Sequence, residues 1–401
     1  MTIWILNHHA LTPQMSGGTR HYDFAKELID RGHKVVIISS SFHYSKYSEM
    51  KDYGSNEYIV ENIEGINWVW LKTPPYKGNG FLRVKNMLSY TYKAINVVPN
   101  LDLPKPDIII GSSVHLFAVY SAYKLSLRYK VPFIMEVRDL WPQTLIDMGI
   151  SKWHPFIITL GFLERFLYKK AVKIISNLPY AYDYISAYAR KDKFEWISNG
   201  VDLSNHTYVK PKRVNSFIIS YTGALGVANN LVTLIEAADI LRNEPNISFR
   251  IIGDGAEKNK LKELMELKKL KNISIEDPVS KDQIPNILAN SDILYFNLAD
   301  SPVFKYGISS NKLFDYMAAG RVVIFSSNAV NNPIKEANGG FTIQPDNPLL
   351  LANTIKEIVS IEYEKMVEIG ARNRDYCEKY YSIPLLVDKL EKILNVEVNN
   401  G

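Results

Sequence analysis

The segment Gly307-Ile-Ser-Ser-Asn-Lys-Leu-Phe-Asp-Tyr-Met-Ala-Ala-Gly320 concentrates residue types that handle anions. Ser310 or Asn311 can cap a helix there, leaving the first free N–H groups and the Lys312 ammonium together at one end. Such a helix start suits a diphosphate, because unpaired amides and a partial positive charge act on the same oxygens. Asp315 lies three residues on, one turn deeper, where a carboxylate could accept hydrogen bonds from ribose hydroxyls. The same spacing also describes a plain surface ion pair, Lys312–Asp315 at i,i+3, contributing about 0.3 kcal/mol.

Two glycine loops follow predicted strands, Ser16-Gly17-Gly18-Thr19 and Thr222-Gly223-Ala224-Leu225-Gly226. Glycine lets a backbone approach a phosphate closely; equally, each loop fits a tight turn with no ligand. Neither matches the dinucleotide pattern G-x-G-x-x-G or the phosphate loop G-x-x-x-x-G-K, which argues against a dehydrogenase or an ATPase. No Asp-x-Asp pair occurs, so no carboxylate clamp for a divalent metal is expected. The charge of a diphosphate would then fall to helix N-termini and cationic side chains.

These residues need a scaffold, and the hydrophobic pattern supplies one. Ile3–Asn7 reads as a strand, Pro13–Gly18 as a turn, and Tyr22, Ala25, Leu28 and Ile29 recur at helical spacing before Val35–Ile38. Strand 107–110, a helix near 115–129 and strand 132–137 continue the alternation. A helix near 155–171 and strand 172–176 follow, then Ile197–Asp202. After a polar segment at Ser204–Asn215, read as a linker, the rhythm restarts. Strands are expected at 217–221, 248–252, 272–276, 292–296 and 322–325. Helices are expected at 231–241, 311–319, 349–359, 363–381 and 384–394. Uninterrupted Ile/Val runs between helices indicate parallel strands buried on both faces. The expectation is α/β: two doubly wound, Rossmann-like domains facing a cleft, at 1–203 and 204–380, with 381–401 as a helix returning to the first domain.

Bulk properties agree with a globular chain. Its 401 residues suit two domains, and 46% hydrophobic with 22% charged residues leave no case for wholesale disorder. The single cysteine, Cys377, excludes an internal disulfide framework and suggests a reducing compartment. A net charge of +5 without a basic motif points away from nucleic acid. The N-terminus lacks a basic start and reads as a first strand rather than a signal peptide. The uncharged, largely apolar stretch Ile108–Tyr123 has 16 residues, short of the roughly 20 apolar residues a spanning helix needs. His115 lies within that run and reads as a hydrogen-bonded core residue.

At this level of detail the chain resembles the retaining GT-B glycosyltransferases of family 4, and within them bacterial N-acetyl-L-fucosamine transferases of O-antigen and capsule pathways. The matching pieces are Gly17-Gly18 with Arg31-Gly-His33, Glu136-Val-Arg-Asp-Leu-Trp-Pro142, Asn199-Gly-Val-Asp202, Tyr221-Thr-Gly223, Gly253-Asp-Gly255 and Asn311–Gly320. The resemblance implies retaining transfer from a UDP-sugar, without a metal cofactor, to a polyprenyl-diphosphate-linked saccharide. It implies Arg138, Asp139 and Lys312 as catalytic residues, with Arg138 and Lys312 flanking the diphosphate and Asp139 orienting Arg138 or binding a sugar hydroxyl. It implies donor contacts from Gly17, Gly18, Gly223, Val279, Ser310, Asn311, Lys312 and Asp315, the loop around Pro278-Val279-Ser280 holding the base. For that loop the plain alternative is a strand-to-helix turn capped by Ser280, and for Arg138–Asp139 a loop salt bridge. Three departures stand out. The family's paired acidic positions fall here on Gly307 and Asp315; no basic residue occurs between Gly223 and Asn230; and Arg138 stands where relatives often carry histidine.

Between Gly65 and Leu101 there is no acidic residue, while Lys72, Lys77, Arg83, Lys85 and Lys93 are interleaved with aromatic and aliphatic side chains. Trp153–Lys170 is similarly apolar with a basic end. Such segments suit an anionic membrane surface, or else form core-packing helices with solvated basic faces. His21, Arg83, Lys85 and Tyr90 are the expected acceptor or membrane-facing residues, and the expected location is cytoplasmic, peripheral on the inner face of the cell membrane. Two other readings remain: a nucleotide-sugar 2-epimerase, for which Glu136, Asp139 and Asp315 would be the acid/base candidates, and a non-catalytic nucleotide-sugar-binding subunit.

Overall fold

A computed structural model describes residues 1–15, 17–44, 46–78, 80–211 and 215–400. The chain forms two compact units. One comprises Met1–Thr12, Gly18–Ser198 and Leu386–Gly401; the other comprises Pro13–Gly17 and Asn199–Leu385. The C-terminal segment from Leu386 thus groups with the first unit, and the second begins at Asn199, upstream of the expected polar linker. Of that linker, residues 212–214 lie outside the described residues.

The first unit contains strands β1 (Thr2–Leu6), β2 (Lys34–Ser39), a short hairpin of β3 (Phe42–His43) and β4 (Ser48–Glu49), then β5 (Tyr58–Ile63), β6 (Ile66–Leu71), β7 (Ile108–Ser112), β8 (Phe133–Val137), β9 (Lys173–Ser176) and β10 (Phe194–Trp196). Its helices are α1 (Arg20–Asp30), α2 (Phe81–Asn96), α3 (Leu116–Tyr129), α4 (Gln143–Asp147), α5 (Pro155–Lys170) and α6 (Ala181–Ile185). The sheet runs β10-β9-β8-β7-β1-β2-β6-β5. Every pairing is parallel except β5 with β6. The central strands β1, β7 and β8 are buried at every position, as the apolar runs require when helices cover both faces.

The β5–β6 hairpin escapes the reading of alternating strands and helices. Its turn is Glu64–Gly65, with φ of 49° and 89°, a left-handed pair that matches the twist of a two-residue hairpin. Trp68 and Trp70 of β6 are fully buried and stacked 5.0 Å apart, whereas β5, at the edge, alternates exposed and half-buried residues. Helix α3 packs between α2 and α5.

The second unit contains β11 (Phe217–Thr222), β12 (Ile247–Ile252), β13 (Ile273–Glu276), β14 (Ile293–Asn297), β15 (Val322–Ser326) and β16 (Gly340–Ile343), in the order β13-β12-β11-β14-β15-β16, all parallel. Helices α7 (Val232–Ile240), α8 (Lys258–Leu267), α9 (Ile284–Ala289), α10 (Asn311–Ala318), α11 (Pro333–Ala337), α12 (Pro348–Val359) and α13 (Tyr363–Tyr381) accompany it, and α14 (Ile383–Asn400) closes the chain. One face of the sheet packs Ile219, Phe249 and Tyr295 against α7 and α12; the other packs Leu294, Phe296 and Phe325 against α10.

Candidate functional site

The second unit places its most unusual side chain at the start of α10. Ser310 is the extended N-cap residue and makes no side-chain capping bond; Asn311 and Lys312 behind it are half-buried. Lys312 Nζ donates to Tyr221 Oη at 2.6 Å and to Asn229 Oδ1 at 2.7 Å. The ammonium lies 4.4 Å from the Tyr221 ring centroid. The Tyr221 hydroxyl in turn donates a hydrogen bond to the Ala224 carbonyl at 2.8 Å. Among the described residues no carboxylate pairs with Lys312. Burial pulls its pKa down to about 7, since a charge deprived of water and of a counter-charge is costly. The surface Lys312–Asp315 pair does not form.

The two glycine turns beside it are shaped by close approach. Gly223 has φ +140°, and a Cβ there would lie 3.1 Å from Lys312 Cε. A Cβ on Gly253 would fall 1.8 Å from the Gly223 carbonyl oxygen. Only glycine lets the β11 and β12 ends converge on the lysine. Gly307, at the position of the family's first acidic residue, has φ +92°. The backbone there is one that side-chain-bearing residues rarely adopt, so the carboxylate is excluded by conformation as well as by sequence.

Asp315 is 5% exposed. Lys281 Nζ donates to both of its oxygens, and His206 Nε2 lies 3.4 Å from Oδ1. Burial alone would raise this carboxyl, but Lys281 and His206 hold it at about 2. A ribose hydroxyl would have to share oxygens already engaged. Lys281 is a cation the sequence reading missed. It follows the half-buried Val279 and Ser280 in the loop after β13, and its N–H donates to the Pro13 carbonyl at 3.2 Å. Ser280 precedes a short helical turn but makes no capping bond. The Asn199-Gly-Val-Asp202 motif is a brace: Asn199 bonds Ser309 through its N–H at 2.8 Å and its side-chain amide at 2.5 Å, fixing the loop that leads into α10.

In the first unit the expected acceptor-facing residues divide. Lys85 is exposed and Arg83 half-buried, but Tyr90 is fully buried, its hydroxyl donating to the Ile38 carbonyl at 2.7 Å. The spacing of α2 turns Tyr90 inward with Met87 and Ala94. His21 is also inside: Asn7 Nδ2 lies 2.7 Å from its Nδ1, and its Nε2 lies 2.6 Å from Glu136 Oε2. Arg20 Nε donates to Glu136 Oε1 at 2.8 Å, and its guanidinium caps the carbonyls of Ile197 at 3.0 Å and Ser198 at 2.5 Å. Against the cost of burial, His21 and Arg20 hold the Glu136 carboxyl well below the ordinary range. Neither Tyr90 nor His21 faces a membrane.

Arg138 is half-buried just beyond β8, its N–H donating to Ser113 Oγ at 3.0 Å. Its guanidinium forms no ion pair among the described residues, and Asp139, beside it, is exposed. The expected orientation of Arg138 by Asp139 is therefore not made, and neither is the loop salt bridge. Gly17 is exposed at φ +139°, and Gly18 is half-buried before α1; Ser16 lies outside the described residues. His115 is the core residue its setting suggests, capping α3 by accepting the Ala118 N–H at 3.1 Å. Among the described residues no group of three His, Cys, Asp or Glu side chains is arranged to hold a metal, and no described helix is long and apolar enough to cross a membrane.

Comparison with known proteins adds an independent line. Residues 16–205 match the family described as Glycosyltransferase Family 4, and residues 216–360 match Glycosyl transferases group 1. WcaI of Escherichia coli (strain K12), named as a candidate colanic acid biosynthesis glycosyl transferase, is 24% identical over 306 residues, covering 70% of this chain and 73% of that protein. Sucrose-phosphate synthase from Thermosynechococcus elongatus superposes with a TM-score of 0.78 at 14% identity, over 100% of both chains. HepE of Anabaena in complex with UDP-glucose gives 0.68 at 15% identity, over 99% of this chain and 100% of that one. WaaG, a glycosyltransferase involved in lipopolysaccharide biosynthesis, gives 0.67 at 14%, over 99% of each. At such identities the solved structures speak to the fold alone.

Proposed function

The chain is a glycosyltransferase of the family 4 type, folded as the two Rossmann-like domains of GT-B enzymes, and from that premise we propose its reaction. It moves a sugar, an N-acetylated 6-deoxyhexosamine such as N-acetyl-L-fucosamine, from UDP to a polyprenyl-diphosphate-linked saccharide in capsule or O-antigen synthesis, with retention of configuration and without a divalent metal. The observation that carries the donor half is Lys312, an ammonium with no carboxylate partner among the described residues, at the first turn of α10. A donor diphosphate supplies the missing counter-charge, and the amides of the helix start add to it. The negative charge that develops on the leaving phosphate strengthens those contacts in the transition state, which is how such a site accelerates transfer. The acceptor hydroxyl gives up its proton to a donor phosphate oxygen on the same face. The UDP-glucose bound by HepE and the polysaccharide pathway named for WcaI favour a UDP-sugar and a polysaccharide product.

Peripheral attachment to the inner face of the cell membrane belongs to the same reading. Helices α2, α3 and α5 form one layer. Their only acidic residue is Glu164, which burial pushes up to about 8 against the hydrogen bonds of Tyr168 and Tyr184. The layer exposes Phe81, Leu82, Tyr92, Leu127 and Phe162 beside Lys85, Lys124, Lys169 and Lys170, a mixture suited to anionic headgroups. The epimerase reading loses ground because Glu136 and Asp315 are committed to ion pairs. The decisive experiment screens UDP-sugars against polyprenyl-diphospho-saccharides in the presence of EDTA, with mass spectrometry and NMR of the product. Transfer with an unchanged anomeric configuration supports the proposal; epimerisation of UDP-N-acetylhexosamine without acceptor, or a strict manganese requirement, defeats it.

A further inference from the structure

A chain of imidazoles at the carboxyl end of the first sheet has its proton positions dictated by hydrogen bonding. His115 Nδ1 accepts the Ala118 N–H, so the neutral ring carries its proton on Nε2. That atom lies 2.7 Å from His8 Nδ1, which therefore accepts, and the His8 proton must reside on Nε2. His8 is fully buried, and its Nε2 has no hydrogen-bond partner among the described residues. Its ring cannot turn to find one, being stacked at 4.3 Å on both His9 and Tyr90. A buried donor left unmade costs about 1–3 kcal/mol, a cost that a ligand oxygen would remove.

The surroundings say which oxygen. His8 and His9 follow β1 and Arg138 follows β8, one strand removed from it in the sheet, so the carboxyl ends of these strands deliver donor and cationic groups to one end of the sheet, while His43 ends β3 of the separate short hairpin. Arg83 and Arg138 both act on the His9 ring, which burial first and their charges next hold at about 3. His9 Nδ1 is a second buried nitrogen without a partner. Glu136, at the end of β8, is spent on Arg20 and His21, and Asp139, next to Arg138, is exposed. Two guanidinium groups thus act on neutral imidazoles, a combination suited to an anion with several acceptor oxygens.

We propose that this end of the first sheet is an oxyanion site in which the His8 Nε2–H, Arg83 and Arg138 bind a phosphoryl group, and that this group is the diphosphate head of the lipid-linked acceptor. The assignment rests on the transfer reading above. It also moves Arg138 from the donor's diphosphate, where sequence resemblance had placed it, to the acceptor's.

The test uses the full chain with His8→Phe, which keeps the stacked ring and deletes the donor, His8→Gln, which restores an N–H, and Arg138→Met, whose half-exposed side chain has no ion pair to break. The acceptor KM is expected to rise about tenfold or more in His8→Phe and Arg138→Met, with the UDP-sugar KM unchanged and largely normal values in His8→Gln. Inorganic pyrophosphate is expected to compete with acceptor and not with donor. A raised donor KM with an unchanged acceptor KM assigns the anion to the nucleotide and overturns the proposal. Calorimetry with pyrophosphate at saturating UDP reads the site even if no transfer is found. Binding that is lost in Arg138→Met supports the site whatever the fate of the transfer reading; binding that is absent in wild type, or unaltered by both His8→Phe and Arg138→Met, refutes it.

Discussion

Each unit buries a charge near the carboxyl ends of its strands, and the two are treated in opposite ways. Glu136 in the first unit has Arg20 on one oxygen and His21 on the other, and Arg20 is itself anchored by two carbonyls. Lys312 in the second has a phenol and an amide oxygen and no counter-charge. A saturated buried ion holds structure and has nothing left to offer a ligand. An unsaturated one stores an unmet demand for negative charge, and that demand marks a binding site. Within family motifs, the Glu136 segment and the Lys312 segment look equally functional; their partners separate them.

The comparison breaks most visibly at Glu136. Glu136→Gln leaves Arg20 buried without a counter-charge and is expected to destabilise the first unit by about 3–5 kcal/mol, seen as a lowered melting transition. Unchanged melting would remove the structural role assigned to it. Lys312→Met should do the reverse, holding or raising the melting temperature while weakening UDP binding by about 2–3 kcal/mol, roughly thirtyfold to over a hundredfold; titration calorimetry on the folded variant checks it. Gly307→Glu, which writes the family's carboxylate back into the sequence, should cost about 1–3 kcal/mol of strain and bring no gain in kcat, because the backbone at φ +92° does not present the side chain as a relaxed residue would.

The pH response sharpens the same contrast. The Lys312 pKa in the folded chain, about 7, lies below its ordinary value of 10.5. Between those values the unfolded chain binds the extra proton, so stability rises with pH across that window. Affinity for a diphosphate moves the opposite way, falling by up to about tenfold per unit above pH 7. Proton uptake on UDP binding at pH 8, measured calorimetrically in buffers of different ionisation enthalpy, would reveal it, and its absence would mean the ammonium is already charged. The smallest effect belongs to the surface: Lys85→Gln should weaken flotation with anionic liposomes by about 1 kcal/mol, roughly fivefold, and high salt should mimic it.

Much of the scaffold was legible because its signals are local. Buried parallel strands announce themselves as runs such as Val35–Ile38 and Ile108–Ile110, and α10 starts at Asn311, where the cap residues put it. The β5–β6 hairpin was not found, since its turn, Glu64–Gly65, carries a residue uncommon in left-handed turns and its inner strand is a tryptophan-rich run without strict alternation. The site was legible only in part. Lys312 was identified as a cation at a helix start, but its partners, Tyr221 and Asn229, lie 91 and 83 residues away. Lys281 was overlooked because nothing in its neighbourhood marks it as the partner of Asp315, 34 residues on.

The sequence by itself determined most of the buried strands and the helices between them, that the central strands are parallel, and where amides and one lysine meet at a helix start. These follow from periodicity and capping within a few residues. Tertiary structure alone decided which charges are satisfied: that Glu136 is neutralised, that Asp315 is claimed by Lys281, that Tyr90 and His21 turn inward, and that the His8 proton is left without an acceptor. Pairing depends on distances between residues far apart in the chain, and on burial, which sets how much an unpaired charge costs; neither quantity is written in any local run of residues.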